Sequence, residues 1–159
     1  MNIKIICIGK LKEKYWVDAA NEYSKRLSKY CKLNLIELKE SKLPSNPSKA
    51  DEQNVIIKEG EDIARHIKPS EYIVTLEIEG ELLSSEKLAS KINTLSIDGI
   101  NDITFIIGGS LGISEDVKKM TNYKLSFSNM TFTHQMIRVI LLEQIYRSYK
   151  INRNESYHK

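Results

Sequence analysis

The chain of 159 residues is poor in cysteine, proline and tryptophan, with two, three and one respectively. Cys7 and Cys31 stand in no C-x-x-C spacing, which argues against a disulfide scaffold and for a reducing compartment. His66, His134 and His158 are scattered, so no zinc pattern and no metal is expected. No stretch reaches the roughly 18–20 apolar residues that span a bilayer. The opening MNIKIICIGKLKEKYW is broken at Lys4 and lacks a cleavage site, so no secretory leader is expected and a cytoplasmic location is. The phosphate-binding pattern G-x-x-x-x-G-K-[ST] is absent. No internal repeat or long low-complexity run interrupts the chain. A hydrophobic fraction of 41% with 28% charged residues supports a packed core, and the length predicts one domain over residues 1–159.

Charge is present in balance but not in distribution. Residues 1–32 carry 8 Lys/Arg against 3 Asp/Glu, residues 33–133 carry 11 against 16, and residues 134–159 carry 5 against 2. Both ends are basic and the middle is acidic. If the ends meet, they form a surface suited to a polyanion; otherwise they are solvated faces.

Hydrophobic periodicity predicts alternating strands and helices. NIKIICIG, KLNLIEL, YIVTLEI, DITFIIGG and YKLSFS read as strands, and DITFIIGG is apolar enough to be buried on both faces. Residues 14–30 place Trp16, Ala19, Ala20, Tyr23, Leu27 and Tyr30 on one helical face. A second helix is expected from Asp51 to His66, after a loop punctuated by Pro44 and Pro47 and before Pro69. Ser84 or Ser85 would cap a third and Ser114 a short fourth. The last helix, about His134 to Lys150, carries Met136, Ile137, Val139, Ile140, Leu141, Leu142 and Ile145. One core face does not need so many, which points to a homodimer interface. The alternation gives an α/β fold with a mostly parallel sheet flanked by helices, whose ligands belong at the carboxyl ends of strands.

Three segments carry candidate chemistry. TFIIGGSLGISEDV runs a buried strand into Gly108, Gly109 and Gly112 and then a capped helix. Such a turn either admits a ligand to the backbone or is purely structural. LSFSNMTFTHQMIRV leaves a strand through small polar residues, Met130 and Phe132, a composition that suits an adenine or a thioether, or an ordinary connection capped by Thr133. In the last helix and tail, Arg138, Arg147, Lys150 and Arg153 interleave with Tyr146, Tyr149 and Tyr157. That pattern serves RNA, through phosphate pairing and base stacking, or a protein interface.

LKEKYW, TLEIEGELLSSE, FIIGGSLG, LSFSNMTFTHQMIRVILLEQIYR and the YHK ending together resemble the RlmH-type ribosomal RNA methyltransferases of the SPOUT class. The resemblance spans Met1 to Lys159. It implies a cytoplasmic homodimer with a C-terminal trefoil knot that uses S-adenosylmethionine to methylate N3 of a pseudouridine in 23S ribosomal RNA of assembled ribosomes. It places the cofactor against Leu76, Gly108 and the run Phe127, Ser128, Asn129, Met130, Thr131 and Phe132. Thr133 stands where the family commonly has proline, and Asn154 where it often has glycine; threonine can cap a helix and asparagine tolerates left-handed backbone.

The acceptor nitrogen of that reaction must lose a proton as it attacks. His158 is suited to take the proton or stabilise the anion near neutral pH. Tyr157 is expected to stack on the base or hydrogen-bond to it, and Arg138 and Arg147 to hold phosphates or offset negative charge. The tail is then expected to close over the cofactor pocket, of its own subunit or its partner's. A nicotinamide-dependent oxidoreductase and a non-catalytic RNA-binding protein are the rival readings. The first is opposed by Ile107 standing where G-x-G-x-x-G needs its first glycine.

Overall fold

A computed structural model describes residues 1–157. Its strands are β1 Asn2–Ile8, β2 Lys32–Leu38, β3 Tyr72–Leu82, β4 Asp102–Ile107 and β5 Tyr123–Ser126. They form one sheet in the order β2-β1-β4-β3-β5, and all four strand pairings are parallel. The helices are α1 Lys14–Leu27, α2 Lys49–Ala64, α3 Ser85–Ile97, α4 Glu115–Met120 and α5 His134–Asn152.

The two helical layers follow from the two sheet faces. Leu27, Leu88, Ile92, Leu141, Leu142 and Ile145, from α1, α3 and α5, pack with Ile3, Ile5 and Phe105. Ile63 of α2 and Val117 of α4 pack with Ile6, Ile8, Ile73 and Ile106 on the other face. Each fully buried Leu or Ile contributes roughly 1.5–3 kcal/mol. β4 is buried along nearly its whole length, as its continuous apolar run predicts.

Caps account for the helix starts. Ser84, Ser114 and Thr133 each accept a backbone N–H at the head of α3, α4 and α5. α2 begins two residues before the predicted Asp51. There Ser48 Oγ accepts the Asp51 amide at 3.1 Å while Asp51 Oδ2 accepts the Ser48 amide at 2.8 Å, a reciprocal capping box. At the other end of the chain α5 stops in a Schellman turn: Glu155 N–H donates to Lys150 O at 2.9 Å and Asn154 N–H to Ile151 O at 3.0 Å. Asn154 takes φ +53°, the left-handed conformation expected of it.

β3 departs most from expectation, continuing past Ile78 to Leu82. Leu125 of β5 pairs with Leu76 and again with Glu81, so β3 bulges between them and returns across its neighbour. The return needs Gly80. A Cβ there would meet Leu125 C at 2.6 Å, Leu125 N at 2.9 Å and Lys124 C at 2.9 Å, all backbone atoms. Backbone in a paired strand cannot step aside as a flexible side-chain tip can. Gly80→Ala is therefore expected to destabilise the fold by about 1–3 kcal/mol. In thermal denaturation its melting temperature should fall by several degrees, whereas Glu79→Ala on the exposed side of the same segment should hardly move it.

Candidate functional site

The parallel sheet aims the carboxyl ends of β3, β4 and β5, which are neighbours in the strand order, at one place. A cavity of about 810 Å³ opens there. Its lining comes from Leu76 to Glu79 in the bulge of β3, Ile107 to Ile113 from the end of β4 onward, Leu125 to Ser128 from the end of β5 onward, Met130 to Gln135, Ile137, and Lys118 of α4. Another cavity of similar size, about 820 Å³, lies at the opposite, amino-terminal ends of β1 and β2. The strand-end rule favours the first as the ligand site.

The walls of the cavity are held by local hydrogen bonds. Gly112 N–H donates to Gly109 O at 3.1 Å, closing the glycine turn, with Gly112 at φ +94°. Behind that turn, Glu59 of α2 is buried and accepts the Ser41 amide at 2.9 Å; its burial raises the carboxyl's pKa. In the loop after β5, Ser126 Oγ donates to Ser128 O at 3.1 Å and Ser128 Oγ accepts the Met130 amide at 2.9 Å. Thr133 Oγ1 accepts the Met136 amide at 3.3 Å, so threonine supplies the helix start by capping. Gln135 Oε1 accepts the Lys12 amide at 2.9 Å, tying the loop after β1 to the head of α5.

Of the residues singled out from the sequence, Leu76, Gly108, Phe127, Ser128, Met130, Thr131 and Phe132 all line this cavity. Asn129, within the same loop, is not among its lining residues. Arg138 is elsewhere. It is 1% exposed, its guanidinium pairs with Glu37 at the end of β2, and Nη2 donates to Gly9 O at 2.8 Å. It acts as a clamp between α5 and the carboxyl ends of β1 and β2, not as a charge offered to a ligand. The glycine turn singled out from the sequence, Gly108, Gly109 and Gly112, also lines the cavity. Sequence reading passed over Glu77 and Lys118 as wall residues; Glu77 sits beside the named Leu76, and that adjacency was the available signal.

Tyr157 and Arg147 come together at a second place. The Tyr157 hydroxyl donates to Glu143 Oε1 at 3.0 Å, and its ring meets Tyr146 edge-on with centroids 4.9 Å apart. The Arg147 guanidinium stands over the same ring at 4.7 Å and donates through Nε to Glu143 Oε1 at 3.0 Å. Burial and hydrogen bonding to Tyr23 and Glu143 push the Tyr157 phenol up, so it remains a protonated donor. The basic ends of the chain do meet here. Arg26 of α1 lies over the Tyr23 and Tyr146 rings, Arg153 over Tyr30, and Lys150 pairs with Glu155 at 2.5 Å. His158 lies outside the described residues. Among the described residues there is no group of three ligating side chains able to hold a metal, and no helix long and apolar enough to cross a membrane.

A family profile described as "Predicted SPOUT methyltransferase" matches residues 1–158. The chain is 57% identical over 159 residues to "Ribosomal RNA large subunit methyltransferase H" of Clostridium novyi, with 100% of both chains covered. Proteins of the same description from Alkaliphilus oremlandii and Clostridium acetobutylicum are 55% and 52% identical, again over the full length of both.

The clamp makes a prediction about Glu37 and Arg138. The guanidinium is the buried partner and Glu37 the exposed one, so loss of Glu37 is what strands a charge. Glu37→Leu is expected to cost about 1–3 kcal/mol in urea denaturation. The double variant Glu37→Leu with Arg138→Met should recover a substantial part of that loss, which a double-mutant cycle reads as coupling.

Proposed function

Since the chain belongs to the SPOUT methyltransferase family, we propose that it methylates large-subunit ribosomal RNA in the cytoplasm, at N3 of a pseudouridine in 23S RNA of assembled ribosomes. The SPOUT fold carries a C-terminal trefoil knot. SPOUT methyltransferases use S-adenosylmethionine, whose sulfonium supplies an electrophilic methyl group. The residues present fit it. A Cβ at Gly108 would meet Ile113 Cγ1 at 2.7 Å and Gly112 O at 2.8 Å, so the end of β4 can offer only bare backbone. Leu76, Gly108 and the loop from Phe127 to Phe132 would hold the nucleoside, with Leu76, Phe127 and Phe132 as apolar walls and Ser128 and Thr131 as polar edges.

The chain's own residues then have separate tasks. The cavity walls exclude water and fix the donor, which supplies rate by positioning. Arg147, fixed over the Tyr157 ring, provides positive charge against the anion that develops on the target base. The Tyr157 phenol donates its one proton to Glu143, which fixes the ring beside Arg147. His158 takes the imide proton or stabilises its loss. Lys25, Arg26, Lys29, Lys150 and Arg153, interleaved with Tyr30 and Tyr146, present charge and aromatic surface to RNA.

These tasks meet only between two subunits. Ile137, on the cavity wall, and Tyr146, under the Tyr157 ring, are separated by about 14 Å along α5 at 1.5 Å per residue. A two-fold axis that crosses α5 with its copy antiparallel would bring each tail to the other subunit's cavity. The stripe for that contact is available: Met136 is exposed, and Val139, Ile140 and Glu143 are half-buried in the single chain.

The observation that carries the proposal is the convergence of Leu76, Gly108 and Phe127, from three separate strands, on one cavity. Its test uses ribosomes from cells lacking the activity, the purified protein and methyl-labelled S-adenosylmethionine. Mass spectrometry of RNA fragments should place the label on a large-subunit pseudouridine; no label on intact ribosomes would refute the activity. The shared site is tested by mixing two inactive chains, one lacking Tyr157 to Lys159 and one with Gly108→Val in the cavity. Random two-fold assembly leaves one complete site in half the dimers, so about a quarter of wild-type turnover should return. No recovery from mixed dimers would show that each subunit completes its own site.

A further inference from the structure

We propose that Glu77 and Lys118 form the dock for the amino-acid end of S-adenosylmethionine, Glu77 taking its ammonium and Lys118 its carboxylate. This rests on the cavity above being the donor site. Both side chains line that cavity. They come from different elements, Glu77 from β3 just past Leu76 and Lys118 from α4.

The state of Glu77 suggests a ligand. Its side chain is 7% exposed. Oε1 accepts from the hydroxyl of buried Thr75 at 2.6 Å, which aims the carboxylate. Oε2 faces two cations, Lys118 Nζ at 3.6 Å and Lys124 Nζ at 3.9 Å, both beyond ordinary hydrogen-bond length. A carboxylate withdrawn from water normally gains close, charge-assisted bonds in exchange. Here one oxygen has charge nearby but no short partner. Lys118 is loosely held too: its nearer anion, Glu115 at 3.3 Å, is largely exposed, so water competes for that contact.

An amino-acid zwitterion carries both complementary charges on one carbon. It can pair with Glu77 and Lys118 together and replace their loose contact with two short ones. The other charges around the pair do not duplicate this task. Glu81 accepts the Tyr123 hydroxyl at 2.8 Å, and Glu79 is exposed on the rim. The apolar walls favour the nucleoside, and the charged pair gives the orientation that a nucleoside alone lacks. Glu77 also offers negative charge to a cationic ligand in a chain whose ends are basic.

A purely structural role for Glu77 and Lys118, tying β3 to α4, is the competing account. Calorimetry with four ligands separates the two: S-adenosylmethionine, S-adenosylhomocysteine, decarboxylated S-adenosylmethionine and 5′-methylthioadenosine. Glu77→Gln should weaken the three ligands that bear an ammonium by about tenfold and leave 5′-methylthioadenosine within about twofold. Lys118→Gln should weaken only the two that also bear a carboxylate. Equal losses for all four ligands would mean a structural role, and unchanged affinities would mean no contact; either overturns the proposal. A wild-type chain that binds none of the four would instead remove the donor-site assignment beneath it.

Discussion

Leu125 has two backbone partners on one neighbouring strand, Leu76 and Glu81, and much of the molecule is arranged around that double pairing. A strand normally passes its neighbour once. Here β3 passes, bulges through Glu77 to Gly80, and returns. The bulge puts Glu77 to Glu79 on the cavity wall, and the return holds β5 so that its exit loop forms the facing wall. The constraint is steric before it is energetic, because Gly80 lies against the backbone of Lys124 and Leu125 with no room for a side chain. Backbone fixed in this way cannot relax when the cavity fills, which is the preorganisation that binding and transfer chemistry require.

Electrostatics divides the molecule along the same line. The acidic middle of the sequence supplies Glu77 and Glu79 to the cavity, where the cationic donor would lie. The basic ends meet on α1 and α5, where Arg26, Lys150 and Arg153 gather around tyrosine rings. A net charge of +3 hides this separation. One sign suits the methyl donor and the other suits a polyanionic acceptor, so each attracts its partner without competing for the other's.

The strands and helices were legible because their signals are local. Period-two alternation marks β1, the unbroken apolar run marks β4, and Ser84, Ser114 and Thr133 announce helices by a side chain next to the backbone it caps. The second half of β3 was not legible, since Glu81 and Leu82 are strand only by virtue of pairing with Leu125 and Ser126 far along the chain. Arg138 misled for the same reason. An arginine among tyrosines on a helix reads as a phosphate ligand, but its fate is set by Glu37, which comes from β2. Within the candidate site, the positions taken from the family resemblance cluster on one cavity apart from Asn129, while the tail's docking on Tyr146 and Glu143 had no signature in its own residues.

The cavity's three walls are drawn from residues near 76, 108 and 127, and its rim from the head of α5. Its lining is spread from Leu76 to Ile137, so no short contiguous fragment contains it. A nascent or partly folded chain that already has β1 to β4 in place still lacks the last wall, because β5 and the loop after it must seat beside β3 first. A ligand gripped by all three walls would therefore favour the finished topology, and by mass action its binding would stabilise the completed fold over any precursor that lacks a wall.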